Sequence, residues 1–102
     1  MMDLYEILTE LNIEIAYNHF SKPVVPPFIA YYRIESKNFV ADDKVYEKIS
    51  RYRIEIYTKK KDITTEVLLE DLLDANGITY DVVSESFIES EKMYQVVYEV
   101  EI

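Results

Sequence analysis

Apolar residues recur at two different spacings along the chain. In residues 3–11, Leu4, Ile7, Leu8 and Leu11 fall at i, i+3, i+4 and i+7, the stripe of an amphipathic helix. Asp3 and Glu6 stand at its start, where the helix dipole favours negative charge, and Asn12 is placed to end it. "IEIAY" at 13–17 alternates briefly and predicts a short strand. After a connector over 18–27, "FIAYYRIE" predicts a strand at 28–35, and 46–58 predicts a second. In that second strand Tyr52, Ile54 and Ile56 share one face, and Arg51, Arg53 and Glu55 share the other. The segment between them, 36–45, reads as a long hairpin loop that unexpectedly carries Phe39 and Val40.

Helical spacing returns after Asp62, a good N-cap with Glu66 in the first turn. Val67, Leu68, Leu69, Leu72 and Leu73 supply the predicted apolar face, and Gly77 in "DANG" is placed for the left-handed C-cap conformation. "ITYDVV" at 78–83 predicts a strand, and "SESFIESEK" a turn or bulged connection. A last strand follows over 92–102, with Tyr94, Val96, Tyr98, Val100 and Ile102 on one face and Gln95, Glu99 and Glu101 on the other. The order of elements predicts a single α+β domain over 1–102. Its sheet is mostly antiparallel, of four to five strands, with two helices packed on one face.

Composition narrows the function classes. The 102 residues make about one domain's worth of chain. Cysteine is absent, which excludes disulfides, thiolate catalysis and cysteine zinc sites. A single glycine leaves little for a phosphate-cradling loop. The opening "MMDLYEILTE" lacks the basic-then-apolar pattern of a secretory leader, and no run approaches the roughly 18 apolar residues of a membrane span. The formal charge of −9 disfavours binding along a phosphate backbone. The one basic run, Lys59-Lys60-Lys61, reads as a solvated turn.

Catalytic signals are weak. His19 is the only histidine and stands beside a proline-rich connector. No serine sits in a nucleophile elbow. Asp42 and Asp43 are a possible cation pair, but no further oxygen ligands follow at calcium-loop spacing, so a polar loop tip is the simpler reading. Glu70, Asp71 and Asp74 read as a solvated helix face, and Glu85, Glu89 and Glu91 as surface carboxylates. The residues therefore predict no enzyme, no cofactor and no metal site.

Tyrosine is the compositional outlier, with ten residues and no tryptophan. It suits strands and it suits interfaces. Tyr31 and Tyr32 are adjacent, so in a strand they face opposite ways and only one can enter a given core. Tyr31, Tyr32, Phe39, Val40, Asp42 and Asp43 are accordingly the candidate contact residues of an interaction protein.

"IAYNHF", "PPFIAYY", "NFVADDKVYEKISRYRIEIYTKKKD" and "FIESEKMYQVVYEVEI" resemble, in order and spacing over nearly the whole chain, the small tail-completion proteins of long-tailed bacteriophages and prophages. These are also called tail-terminator or head–tail joining proteins. The resemblance implies an α+β fold and a homo-oligomeric ring, commonly a hexamer, on the head-proximal end of the tail tube. It implies contacts with the tail-tube protein and a head–tail connector protein, and a lumen through which DNA passes without specific binding. It also implies a place in the virion tail after assembly in the bacterial cytoplasm, with no cofactor, no catalysis and no membrane. No catalytic or binding positions come with it.

All three prolines, Pro23, Pro26 and Pro27, lie in the connector ahead of "FIAYY". They either deny a foreign strand the amide hydrogens it would need or simply punctuate the chain. The competing function is a small acidic regulator or inhibitor that mimics DNA and binds a basic host protein. Net charge favours it, and the interleaved lysines and arginines of 46–58 oppose it. A small enzyme built on a carboxylate pair is a third reading, weakened by the missing histidine, cysteine and glycine machinery.

Overall fold

The computed structural model describes residues 3–41 and 44–102, with side chains described for all of these except 35–41 and 44–49. The elements run α1 (Leu4–Thr9), β1 (Glu14–Tyr17), β2 (Phe28–Ala41), β3 (Lys44–Thr58), α2 (Ile63–Ala75), β4 (Thr79–Ile88) and β5 (Met93–Glu101). The strands form one five-stranded sheet in the order β1-β2-β3-β5-β4. Only β1–β2 is parallel; the other pairs are antiparallel. The α+β architecture is thus the one that the alternation predicts. No helix among the described residues is long and apolar enough to cross a membrane.

Both helices start where the sequence supplies a cap. The Asp3 side chain accepts from the Glu6 backbone N–H at 2.9 Å, and Asp62 accepts from the Thr65 N–H at 3.0 Å and the Thr65 hydroxyl at 2.7 Å. Those donations, the backbone one foremost, hold the Asp62 carboxyl below its ordinary range. α1 is shorter than the predicted stripe: Glu10 is its C-cap, and Asn12 turns the chain into β1 at φ 57°. α2 ends at Asn76, and Gly77 takes φ +67°, a left-handed conformation that glycine adopts without steric cost.

The core lies between the helices and one face of the sheet. Strand parity puts Tyr31, Ile54 and Tyr98 in one transverse row and Ile29, Ile56 and Val96 in the next. Leu4, Ile7 and Leu8 of α1 and Leu69 and Leu73 of α2 complete the buried cluster. Tyr98, 0% exposed, donates its hydroxyl to Glu70 of α2 at 2.7 Å, so one end of a core ring is anchored to the helix above it.

Three expectations are corrected. The region read as a loop, 36–45, is strand on both sides: β2 continues to Ala41, β3 begins at Lys44, and the register runs down to Ala41 opposite Lys44. Its charges misled because they interrupt the strict alternation by which a strand is read, whereas the ladder is made by the backbone. Likewise "SESFI" continues β4 to Ile88 through a bulge between Val82 and Ser84, and only the residues after Ile88 form the turn. On α2, Val67 and Leu68 are exposed and only Leu69 and Leu73 are fully buried, with Leu72 packed at the margin.

β3 has fifteen residues. At about 3.4 Å per residue such a strand spans roughly 50 Å, which accounts for the molecule's long dimension of 52 Å against 26 and 23 Å. Beyond the backbone pairing of Ser50 with Ile102, the β2–β3 ribbon continues without a third strand among the described residues.

This packing sets a stability contrast along one helix. Leu73→Ala should cost about 2–5 kcal/mol in urea unfolding, because it removes a fully buried side chain facing the sheet. Val67→Ala should stay within about 0.5 kcal/mol, because that side chain is already open to water.

Candidate interaction surfaces

The sheet face away from the helices is built by the other half of each strand. Parity places Tyr32, Arg53, Glu99 and Asp81 in one row across four strands. Phe28, Tyr57, Gln95 and Ser86 form another, and Glu55 stands between them in the row of Ala30, Val97 and Ser84. Ala30 and Val97 are 5% and 6% exposed, covered although they lie on the face that no helix covers. The small side chains leave room for long polar neighbours to lie across them.

Those polar neighbours form one connected ladder. Gln95 Nε2 donates to the Tyr57 hydroxyl at 2.8 Å, and that hydroxyl donates to Glu55 Oε1 at 2.9 Å. The Tyr32 hydroxyl donates to Glu55 Oε2 at 3.2 Å and accepts from Arg53 Nη1 at 3.3 Å. Arg53 Nη2 donates to Glu99 Oε2 at 2.7 Å. Arg51 pairs with Glu99 at 3.3 Å, with Glu101 at 2.9 Å and with Asp81 at 3.9 Å. Glu55 thus accepts from two tyrosines, and Glu99 accepts from two arginines. Arg53 Nε is buried without a partner, which offsets part of the gain.

The charges respond accordingly. The Arg53 hydrogen bond, with Arg51 adding to it, holds the Glu99 carboxyl below its ordinary 4.5. Burial, with Glu55 adding to it against the donation from Gln95, pushes the Tyr57 hydroxyl up to about 12. Burial and the bond to Glu70 push Tyr98 upward as well. At the β1–β2 end the connector returns over this face: Phe20 packs edge-on against Phe28 at 5.4 Å, and Phe28 stacks on Tyr57 at 4.7 Å.

Tyr31 and Tyr32 divide as parity requires. Tyr31, offered as a contact residue, is 8% exposed in the core, with Tyr17 edge-on at 5.2 Å and Tyr5 and Tyr52 nearby. Tyr32 faces the other way and joins the ladder. Asp42 and Asp43 lie outside the described residues. Phe39 and Val40 have described backbone in β2, opposite Glu47 and Val45, but their side chains lie outside the description. His19 is exposed in the connector. Among the described residues no three histidine, aspartate or glutamate side chains form a group that could hold a metal ion.

The second surface is the α2–β4 side. Charge is divided unevenly along the chain: residues 62–102 hold eleven carboxylates and one lysine, whereas 1–61 hold nine carboxylates and ten lysines or arginines. Arg51, Arg53 and Lys61 of the first part reach across to the second. Lys61, read as part of a solvated run, bridges Glu66 of α2 at 2.8 Å and Glu85 of β4. Those two hydrogen bonds raise its pKa. Glu70 is tied to Tyr98, and Glu89 pairs with Lys92 at 3.2 Å. Sequence reasoning grouped Arg51, Arg53 and Glu55 on one face of their strand and Gln95, Glu99 and Glu101 on one face of theirs, but missed the ladder and the Lys61 bridge, because it did not make β3 the neighbour of β5 or extend β4 through Glu85. No protein-family model matches this chain, and no curated protein sequence does.

Two pH responses follow. Glu99 has a lowered folded pKa, so its stabilising contribution is present above the ordinary carboxylate value and is lost as pH falls through the folded value. Glu99→Gln should cost about 1 kcal/mol at neutral pH and should flatten the acid limb of a stability-against-pH curve measured by urea titration. Tyr57 and Tyr98 have raised values, so their contribution is complete below the ordinary tyrosine pKa of 10.0 and is lost as pH rises above it. Absorbance titration at alkaline pH should show Tyr57 and Tyr98 among the tyrosines that ionise late, and Tyr98→Phe should remove one late-ionising group.

Proposed function

We propose that this chain is a tail-completion protein of a long-tailed bacteriophage or prophage, closing the head-proximal end of the tail tube as a ring of copies and presenting a surface for joining to the head. The observation that carries the reading is the β2–β3 ribbon, which outruns the rest of the sheet past Ser50. Among the described residues neither outer edge of this ribbon is paired with a strand, and free strand edges are ready to pair with a neighbour. Ring contacts are heterologous and join two different patches. In this reading the ribbon of one copy is one patch and the body of the next is the other. The resemblance in order and spacing described above supports the same assignment.

Two further features fit. The ladder braces the open face of the sheet, so the body meets its neighbours as a rigid plate. The charge of −9 suits a lumen through which DNA slides without sticking. The partners in this reading are other copies, the tail-tube protein and a head–tail connector protein, in the virion tail after assembly in the host cytoplasm. The chemistry is shape and adhesion, with no cofactor and no catalytic step.

Ser36 lies opposite Ser50, so the ribbon can be cut back by replacing residues 37–49 with an Asn-Gly turn. The shortened chain should keep its melting temperature within a few degrees and lose ring formation by light scattering and electron microscopy, alone or with tail tubes. Rings that form equally well without the ribbon count against the assignment. A wild-type monomer that ignores tubes and binds a basic host protein tightly would favour the acidic inhibitor instead.

A further inference from the structure

β4 forms one side of the sheet and has a strand neighbour, β5, on one flank only. Its outer N–H and C=O groups face no strand among the described residues. Sheets blunt such an edge with charged side chains, lysine above all, with proline, with a bulge or by keeping the strand very short. β4 is ten residues long and contains neither lysine nor proline; its bulge and its carboxylates, Asp81 and Glu85, are the devices it has, and the carboxylates leave it open to a cationic strand. Its apolar side chains are unusually open: Val82 is 54% exposed, Val83 46% and Phe87 42%. Val83 has no partner in β5, because the bulge skips it.

The neighbouring helix adds to this surface. Ile63 and Val67, one turn apart on α2, are exposed, and the Lys61 bridge from Glu66 to Glu85 ties helix and edge together. One lysine serves two carboxylates there, so the site keeps net negative charge. Asp81, also on β4, has its side chain 75% exposed.

A second copy of β4 is a poor occupant. Two such edges meeting would gather Asp81 and Glu85 of both copies along one seam with no cation from β4 to offset them, and like charges destabilise a strand pair. An occupant of opposite sign meets no such penalty. We infer that the β4 edge is a docking site for an extended segment of another protein in which lysine or arginine alternates with apolar residues, added to the sheet beside β4. Backbone hydrogen bonds supply affinity and side chains alternate between the two faces, as in strand addition generally. By parity, apolar side chains meet Val82 and Phe87 on the helix side of the sheet, and cations meet Asp81 on the open face. The site is present in a single subunit, so it stands or falls independently of ring formation.

The test uses the full chain and a short fluorescein-labelled peptide alternating lysine and valine. Anisotropy should show saturable one-to-one binding. Replacing the peptide's lysines with glutamate, or N-methylating alternate amides along one edge, should each weaken binding by at least about tenfold. Hydrogen exchange on the unaltered protein should slow at β4 amides and not along β1, the opposite edge. The double substitution Val82→Lys, Val83→Lys should weaken binding to a similar degree without changing the melting temperature. An N-methylated peptide that binds as well as its parent would reduce the effect to charge adsorption and overturn the inference. Protection appearing elsewhere, or unchanged affinity in a folded double variant, would also overturn it. Should that variant fail to fold, exchange on the unaltered chain decides.

Discussion

The structure depends on the alternation in β3. This strand has a neighbour on each side, β2 and β5, so its register fixes the sheet. A one-residue slip would move Ile54 and Ile56 to the open face and drive Arg53 and Glu55 under the helices. Burying two charges without their partners costs several kcal/mol each, far more than any local preference could offset. One strand therefore defines both the apolar layer and the polar ladder. Neither can be changed without the other, because they are the two sides of the same pleat.

The ladder is more than a row of surface ion pairs. Exposed pairs contribute little, since solvent screens them and ordering long side chains costs entropy. Here the Glu99 side chain is only 16% exposed, and its two arginines reach it from neighbouring rows of β3 and are themselves only 29% and 36% exposed. Glu55 receives two tyrosine hydroxyls whose rings are themselves packed, Tyr57 under Phe28. A ring held by packing has fewer rotamers to lose when its hydroxyl is bonded, so the entropic cost of these hydrogen bonds is small. A face without a helix is thereby covered by its own polar groups.

How much was legible in the sequence follows from where a core is present to write on it. Ile54, Ile56, Val96, Tyr98 and Val100 alternate because one side of each strand is buried, and there the expected faces match the structure. Asp62 and Gly77 marked the ends of α2 for reasons local to the backbone. Legibility stopped where burial stopped. The outer part of β4 faces no core, so its polar residues read as turn although the backbone is extended, and the ribbon beyond Ser50 lacks the clean alternation that marks a strand in sequence. Tyr31 and Tyr32 show the same limit at single-residue scale. Parity separates them, but only the packing of α1 above the sheet decides which one is buried.

The uneven charge gains a structural meaning from these contacts. The chain places all its surplus carboxylates after residue 61, then reaches back with Arg51, Arg53 and Lys61 to hold part of that charge. Arg51 and Arg53 meet β5 on the open face, and Lys61 meets α2 and β4 beside the edge. What remains unneutralised lies on α2, on β4 and in the turn after it, where Asp71, Asp74 and Glu91 make no ion pair among the described residues. Folding could have been served by a balanced surface. Self-repulsion on this side disfavours the compact state, and it is concentrated beside the outer edge of β4, the place where a cationic strand would offset it.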